Sequence, residues 1–238
     1  MKKILAFLLT VVMALSLVAC GGGDETPTPS NDPGSTTTQP STPDASTPAE
    51  GQQTAGGYTY RTSESNRVVT ENGTFTKDQI TAPTLITSIG QSADASMVDA
   101  LMKKAGAEDY TFNATATADE VAECKTLILV VGASSKGLGA AGISEDQESE
   151  RADEIINAVK DNDITVIVAH LGGSSRRGAL SDKFNNMGLG VADYILVVED
   201  GNVKDSLFTN AATEAGVPIT LLYSIADALT PLTELYGA

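Results

Sequence analysis

The side chains best able to bind a small anion fall in three short stretches that are rich in Gly and Ser. They are Gln91, Ser92, Ser134, Ser135, Lys136, His170, Ser174, Arg176 and Arg177. Amides, hydroxyls and basic side chains set among glycines concentrate hydrogen-bond donors, and an anion is the ligand that accepts such bonds. We therefore predict that these residues form one binding site for a small anion such as a carboxylate.

A hydrolase is the alternative for the same residues. His170 is the only histidine of the chain, and Ser92 or Ser134 would serve as the nucleophile of a Ser-His-Asp triad. The sequence has no G-x-S-x-G motif, which is the usual setting of such a serine. One histidine and two cysteines are also too few to predict a metal site.

A glycine pattern at Gly137, Gly139 and Gly142 matches G-x-G-x-x-G, the motif of dinucleotide-binding proteins. It follows the third predicted strand, whereas the motif follows the first strand in those proteins, and no Tyr is followed four residues later by Lys. A P-loop would require Lys where the chain has Leu138. The sequence therefore predicts no nucleotide cofactor and no other cofactor.

The composition argues against nucleic acids as a partner. The chain has 15 Lys and Arg residues against 31 Asp and Glu residues, a formal net charge of −16. Such a protein repels the phosphates of nucleic acids, and with no Trp and 5% aromatic residues it offers few surfaces on which bases stack. We predict no nucleic-acid partner.

Residues 1–20 have the layout of a signal peptide, with two lysines, an apolar run and a cysteine at the end. The final Leu17-Val18-Ala19-Cys20 resembles the lipobox of bacterial lipoproteins, in which the cysteine is acylated and becomes the mature N-terminus. This resemblance implies that Cys20 is lipidated and that the protein is held on the extracytoplasmic face of the cell membrane by its lipid.

The next two segments connect this predicted anchor to the folded part of the chain. Residues 21–57 are rich in Pro, Ser, Thr and Gly, and such a composition predicts a disordered tether. Residues 58–82 alternate weakly around Glu71, Asn72 and Gly73, a pattern that favours either a hairpin at that turn or an extended lead-in.

From residue 83 to residue 238, β-branched runs alternate with helical patterns, which predicts an α/β domain. The predicted strands are 84–89, 110–113, 126–131, 164–169, 194–198 and 219–223. We expect a doubly wound, Rossmann-like or flavodoxin-like three-layer sandwich with a five- or six-stranded, mainly parallel sheet. The candidate anion-binding residues follow strands, and the carboxyl ends of parallel strands share one edge of the sheet.

Five stretches of this domain resemble an uncharacterised family of bacterial secreted proteins and lipoproteins that is classed as a domain of unknown function. They are PTLITSIGQSADASMVDALMKKAG, ATADE, TLILVVGASSKGLGAAGIS, HLGGSSRRGALSDKF and ADYILVVEDGN…LFTNAA, and the resemblance covers about residues 83–236. It implies an α/β domain and export with a lipid anchor, and it implies no activity.

The function expected from these observations is a membrane-anchored, extracytoplasmic module that binds a small anionic ligand for a membrane transporter or a sensor. A hydrolase that uses His170 with a loop serine is the first alternative. A structural module that binds a protein partner is the second, and an exposed apolar patch would favour it.

Overall fold

The computed structural model describes residues 54–237, and the predicted lipidation site Cys20 lies outside this range. The strands are β1 (Thr54–Ala55), β2 (Tyr58–Thr59), β3 (Val68–Glu71), β4 (Thr84–Ile89), β5 (Tyr110–Phe112), β6 (Thr126–Val131), β7 (Thr165–His170), β8 (Tyr194–Val198) and β9 (Ile219–Leu222). The helices are α1 (Asp94–Ala105), α2 (Ala118–Ala122), α3 (Ser135–Ala141), α4 (Glu145–Asn162), α5 (Ala179–Leu189), α6 (Leu207–Ala215) and α7 (Leu229–Tyr236). None of these helices is long and apolar enough to cross a membrane.

The fold is a mixed α/β structure built on one seven-stranded sheet. Its order is β3-β9-β8-β7-β6-β4-β5, and every neighbouring pair is parallel except β3 with β9. The chain therefore builds the sheet outward from β4 in both directions, with β5 on one side and β6 to β9 on the other. The prediction of five or six strands is wrong, because β3, from the segment 58–82, joins the six predicted strands as a seventh.

Of the two alternatives for residues 58–82, the hairpin around Glu71 and Gly73 does not form. β3 pairs antiparallel with β9, with Val68 opposite Leu222, so its partner lies at the other end of the chain. An alternating pattern predicts a strand but carries no information about its partner. The predicted end of the tether at residue 57 shifts as well, since β1 and β2 form a small antiparallel pair that begins at Thr54.

Two apolar clusters, one on each face of the sheet, form the core. Leu127 and Leu129 of β6 join the cluster that contains buried residues of α2, α4, α5 and α6, whereas Ile128 and Val130 join the cluster that contains buried residues of α1 and α7. The side chains of a strand point alternately to the two faces, so a strand buried on both sides must be apolar throughout. This explains why β6 reads as one continuous apolar run.

One helix was not expected from the sequence. The stretch after β6 is rich in glycine and reads as a loop, but residues Ser135–Ala141 form α3, with the hydroxyl of Ser134 accepting from the backbone N–H of Gly137 at its start. A Cβ atom at residue 137 would lie 1.9 Å from the carbonyl oxygen of Gln91. Glycine is therefore required there by the close approach of α3 to the loop after β4.

Candidate functional site

The loops that follow β4 and β6 are joined at the carboxyl edge of the sheet. The backbone N–H of Ser134 donates to the carbonyl of Gly90 at 2.9 Å, and Gln91 forms an isolated antiparallel bridge with Ala133. A Cβ atom at residue 90 would lie 2.5 Å from the carbonyl oxygen of Gly132. Contact between the two backbones thus brings Gln91, Ser92 and Ser134 to one place, as the sequence predicts.

The loop after β7 adds Arg176 to this place. Its Nε donates to the hydroxyl of the buried Ser92 at 3.0 Å, and its aliphatic part lies against Gly132, where a Cβ atom would be 3.3 Å from the Cβ of Arg176. The side chain is 27% exposed, and its two terminal nitrogens form no hydrogen bond with residues 54–237. Arg176 is therefore held in position at one nitrogen and presents its remaining donors to solvent.

A buried carboxylate lies next to this arginine. Oδ2 of Asp94, in the first turn of α1, is 3.9 Å from Nε of Arg176 and has no hydrogen-bond partner among the described residues. Gly172 packs over both side chains, since a Cβ atom there would lie 2.0 Å from Cγ of Arg176 and 2.5 Å from Oδ2 of Asp94. The site thus combines one accessible cation with one buried negative charge.

Arg177 has a different environment. Its Nε donates to Asp182 at 2.6 Å, one terminal nitrogen donates to Asp205 at 2.8 Å, and the other donates to the carbonyl of Gly201. The side chain is 5% exposed, and its hydrogen bond holds the pKa of Asp205 below its usual value. These contacts use the donors of Arg177 within the protein, so we leave it out of the site.

His170 is fully buried below the same edge. Its Nε2 lies 3.2 Å from the carbonyl oxygen of Gly173, and its ring packs on Phe208 with the ring centroids 4.5 Å apart. Burial lowers the pKa of His170, so the imidazole is neutral at pH 7. No serine hydroxyl of the described residues forms a hydrogen bond with it, and the Ser–His pair of a hydrolase is not formed.

The remaining predicted residues divide between the site and its surroundings. Ser135 and Lys136 are exposed in the first turn of α3, beside Ser134. The backbone N–H of Ser174 donates at 3.0 Å to Asp200, which lies in the turn after β8. The structure therefore brings together Gln91, Ser92, Ser134 and Arg176, with Ser135 and Lys136 at the next helix start, and it places Ser174 and Arg177 on the β8 side.

A buried ion pair that the sequence reasoning missed positions the loop after β4. Glu148 is fully buried and accepts from the backbone N–H of Gly90 at 2.7 Å and from Arg151 at 2.8 Å. Its other contact, from Nε2 of Gln91, is 3.2 Å long, so Gln91 supports the loop rather than facing solvent. The one feature of the sequence that could have indicated this pair is the spacing of three residues between Glu148 and Arg151, because residues three apart are neighbours on the surface of a helix.

A third buried carboxylate binds the segment before β3, which we call the strap (residues 58–62). Glu199, directly after β8, accepts from the hydroxyl of Tyr58 and the backbone N–H of Arg61 at one oxygen, and twice from Thr62 at the other. Burial raises the pKa of Tyr58 to about 12, so this phenol donates across the physiological range. Nothing in the sequence indicated that residues 58 and 199 meet.

The family model of a domain of unknown function, DUF6305, matches residues 81–236. No curated protein matches the chain. The matched region contains Ser92, Asp94, Gly172 and Arg176, and it leaves the strap and β3 outside.

Proposed function

We propose that this chain, which belongs to the DUF6305 family of domains of unknown function, binds a small carboxylate at Arg176. One observation carries the proposal: Ser92 holds Nε of Arg176, while the terminal nitrogens have no partner within residues 54–237. An arginine fixed in this way loses little side-chain freedom when a ligand binds, and its two terminal N–H groups match the two oxygens of a carboxylate.

The charge of Asp94 favours a ligand with a single negative charge. Its carboxylate lies 3.9 Å from Arg176 and is screened little, because it is buried. A dianion such as hydrogen phosphate would meet this repulsion twice, whereas a monocarboxylate meets it once. Ser135 and Lys136, at the exposed start of α3, are the side chains we assign to the rest of the ligand.

We further propose that the sheet is doubly wound and Rossmann-like. Two observations support this: the strand order reverses at β4, and helices contribute to the apolar clusters of both faces. In sheets of this kind the ligand site lies at the carboxyl ends of the strands where the order reverses. Ser92 follows β4, so the Arg176 site has the location that this architecture favours.

Thermal unfolding with added anions tests the binding proposal. We expect acetate, lactate and other monocarboxylates to raise the midpoint more than phosphate or sulfate at equal ionic strength. A ligand at about 100 times its dissociation constant adds about 2.7 kcal/mol to the free energy of unfolding. Arg176→Gln should remove this effect, and Lys160→Gln, which removes one exposed positive charge on α4, should retain it. Equal stabilisation of the two variants would contradict a site at Arg176.

The proposed cellular setting is a lipid-anchored, extracytoplasmic protein that presents its ligand to a membrane transporter or a sensor. The signal-peptide layout and the Leu17–Cys20 sequence support it. Metabolic labelling with a palmitate analogue tests the anchor, with the other cysteine as its control. Cys20→Ala should abolish the label and release the protein from the membrane fraction, whereas the buried Cys124 can be changed to Ala without either effect. Label retained in Cys20→Ala would contradict the anchor.

A further inference from the structure

β5 is an edge strand whose outer side is not paired within residues 54–237. The backbone N–H of Asn113 donates to the carbonyl of Ile86 at 3.0 Å, and Phe112 is the register partner of Ile86. In a parallel pair, alternate residues of a strand point their backbone groups to opposite sides. The N–H and C=O of Phe112 therefore point away from β4, toward the free edge.

A groove of about 430 Å³ runs beside this edge. Its residues are Pro83, Thr84, Leu85, Thr111, Phe112, Asn113, Glu120, Glu123 and Cys124. Leu85 and Cys124 are buried members of the core, so the groove has an apolar floor. Phe112 is 37% exposed, and with Met97 it is one of the two large hydrophobic side chains that stand out as exposed in the described chain.

The surroundings of the groove are acidic. Glu108 and Asp109 directly precede β5, and Glu120 and Glu123 line the groove. The basic residues near these acids are Lys77, which shares a pocket with Glu108 and Asp109, and Lys125, which follows Cys124 in the chain. Hydrogen bonds from Thr117 and Asn113 lower the pKa of Glu120, which keeps it ionised. A second copy of a chain with net charge −16 would bring the same acids to this edge, and like charges would oppose that pairing.

We propose that the edge of β5 binds an extended, basic segment of a partner protein. The segment adds a strand beside β5 through the backbone groups of Phe112, places apolar side chains in the groove, and directs flanking Lys or Arg residues toward Glu123 and the acids that precede β5. In this mode of recognition the backbone hydrogen bonds supply affinity, and the pockets for alternate side chains supply specificity. The site lies at the opposite end of the sheet from the strap, and it is independent of the proposed Arg176 site.

Synthetic peptides added to the full-length protein test the proposal. The probe is an acetylated, amidated peptide of alternating Val and Thr, flanked by pairs of Lys, and its affinity is measured by calorimetry. We expect the same peptide with flanking Glu to bind at least about tenfold more weakly. We expect a further peptide, N-methylated at alternate backbone nitrogens, to lose about tenfold because each methyl group removes a backbone donor. Absence of binding by the Lys peptide, or equal binding by either counterpart, would overturn the proposal.

Three variants locate the binding on the molecule. Phe112→Pro removes the outward N–H together with the exposed phenyl ring and leaves the backbone groups of Asn113 that pair with β4, so the affinity for the Lys peptide should fall about tenfold or more. Glu123→Lys should weaken binding of the same peptide. Glu214→Lys should not, because Glu214 is exposed on α6, which packs against β8 and β9 at the other end of the strand order. If Phe112→Pro lowers the thermal midpoint strongly, the Glu123→Lys and Glu214→Lys pair decides. Equal affinities in those two variants would overturn the proposal.

Discussion

The guanidinium of Arg176 donates through Nε to the hydroxyl of Ser92, 3.0 Å away and 84 residues earlier in the chain. Arg177, its neighbour in sequence, donates instead to Asp182 and Asp205. The side chain of Arg176 is therefore partly exposed, at 27%, whereas that of Arg177 is buried, at 5%. This contrast separates the residue that we assign to ligand binding from the one that stabilises the fold.

Arg177→Gln should reduce the free energy of unfolding by about 2–3 kcal/mol, because it removes the charged donor that Asp182, Asp205 and the carbonyl of Gly201 share. Arg176→Gln should cost less than Arg177→Gln, since it removes one hydrogen bond, to Ser92, and one 3.9 Å contact with Asp94, whereas Arg177 donates to three groups. Urea unfolding of the two variants measures both values. Equal losses would contradict the different roles assigned to the two arginines.

Gly172→Ala should abolish carboxylate binding. The new methyl group would meet Cγ of Arg176 at 2.0 Å and Oδ2 of Asp94 at 2.5 Å, so the arginine must leave its position beside Ser92. Gly139→Ala is the matched control, because no atom lies within 4 Å of a Cβ at that residue of α3. Calorimetry with acetate measures the loss, and unchanged binding in Gly172→Ala would show that the position of Arg176 does not matter.

Glu199→Gln should loosen the strap. The amide replaces one accepting oxygen with a donor, so hydrogen bonds from Tyr58 and Arg61 or from Thr62 are lost at a buried site, at a cost of about 1–3 kcal/mol. Hydrogen exchange at the Arg61 and Thr62 amides should accelerate, while exchange in β6 stays slow. Glu64→Gln, an exposed change in the next turn, serves as the control and should leave both rates unaltered.

The free energy of unfolding should fall as the pH drops below about 6.5, the usual pKa of histidine. Burial lowers the pKa of His170 in the folded protein, so the unfolded state binds a proton first and gains stability as the solution is acidified. The loss approaches about 1.4 kcal/mol per pH unit for one proton. His170 is the only histidine, so His170→Gln should remove this slope between about pH 7 and pH 5. A slope that persists in the variant would assign it to other groups.

Strand positions in the parallel sheet could be predicted because they depend on local composition. β6 and β8 begin and end at the residues expected from their apolar runs. α3 was missed because Gly137 and Gly139 lower helix propensity. The requirement for Gly137 comes from Gln91, and a local pattern carries no trace of that contact.

The sequence by itself determined the α/β class, the six parallel strands, the acidic charge and the concentration of donors in loops that follow strands. Only the tertiary structure decided that β3 pairs with β9, that Glu199 binds the strap, and that Arg176 rather than Arg177 keeps donors for a ligand. The physical reason is the range of the interactions. Helix and strand preferences arise between residues a few positions apart, whereas a hydrogen-bond partner depends on the register and packing of segments that are distant in the chain.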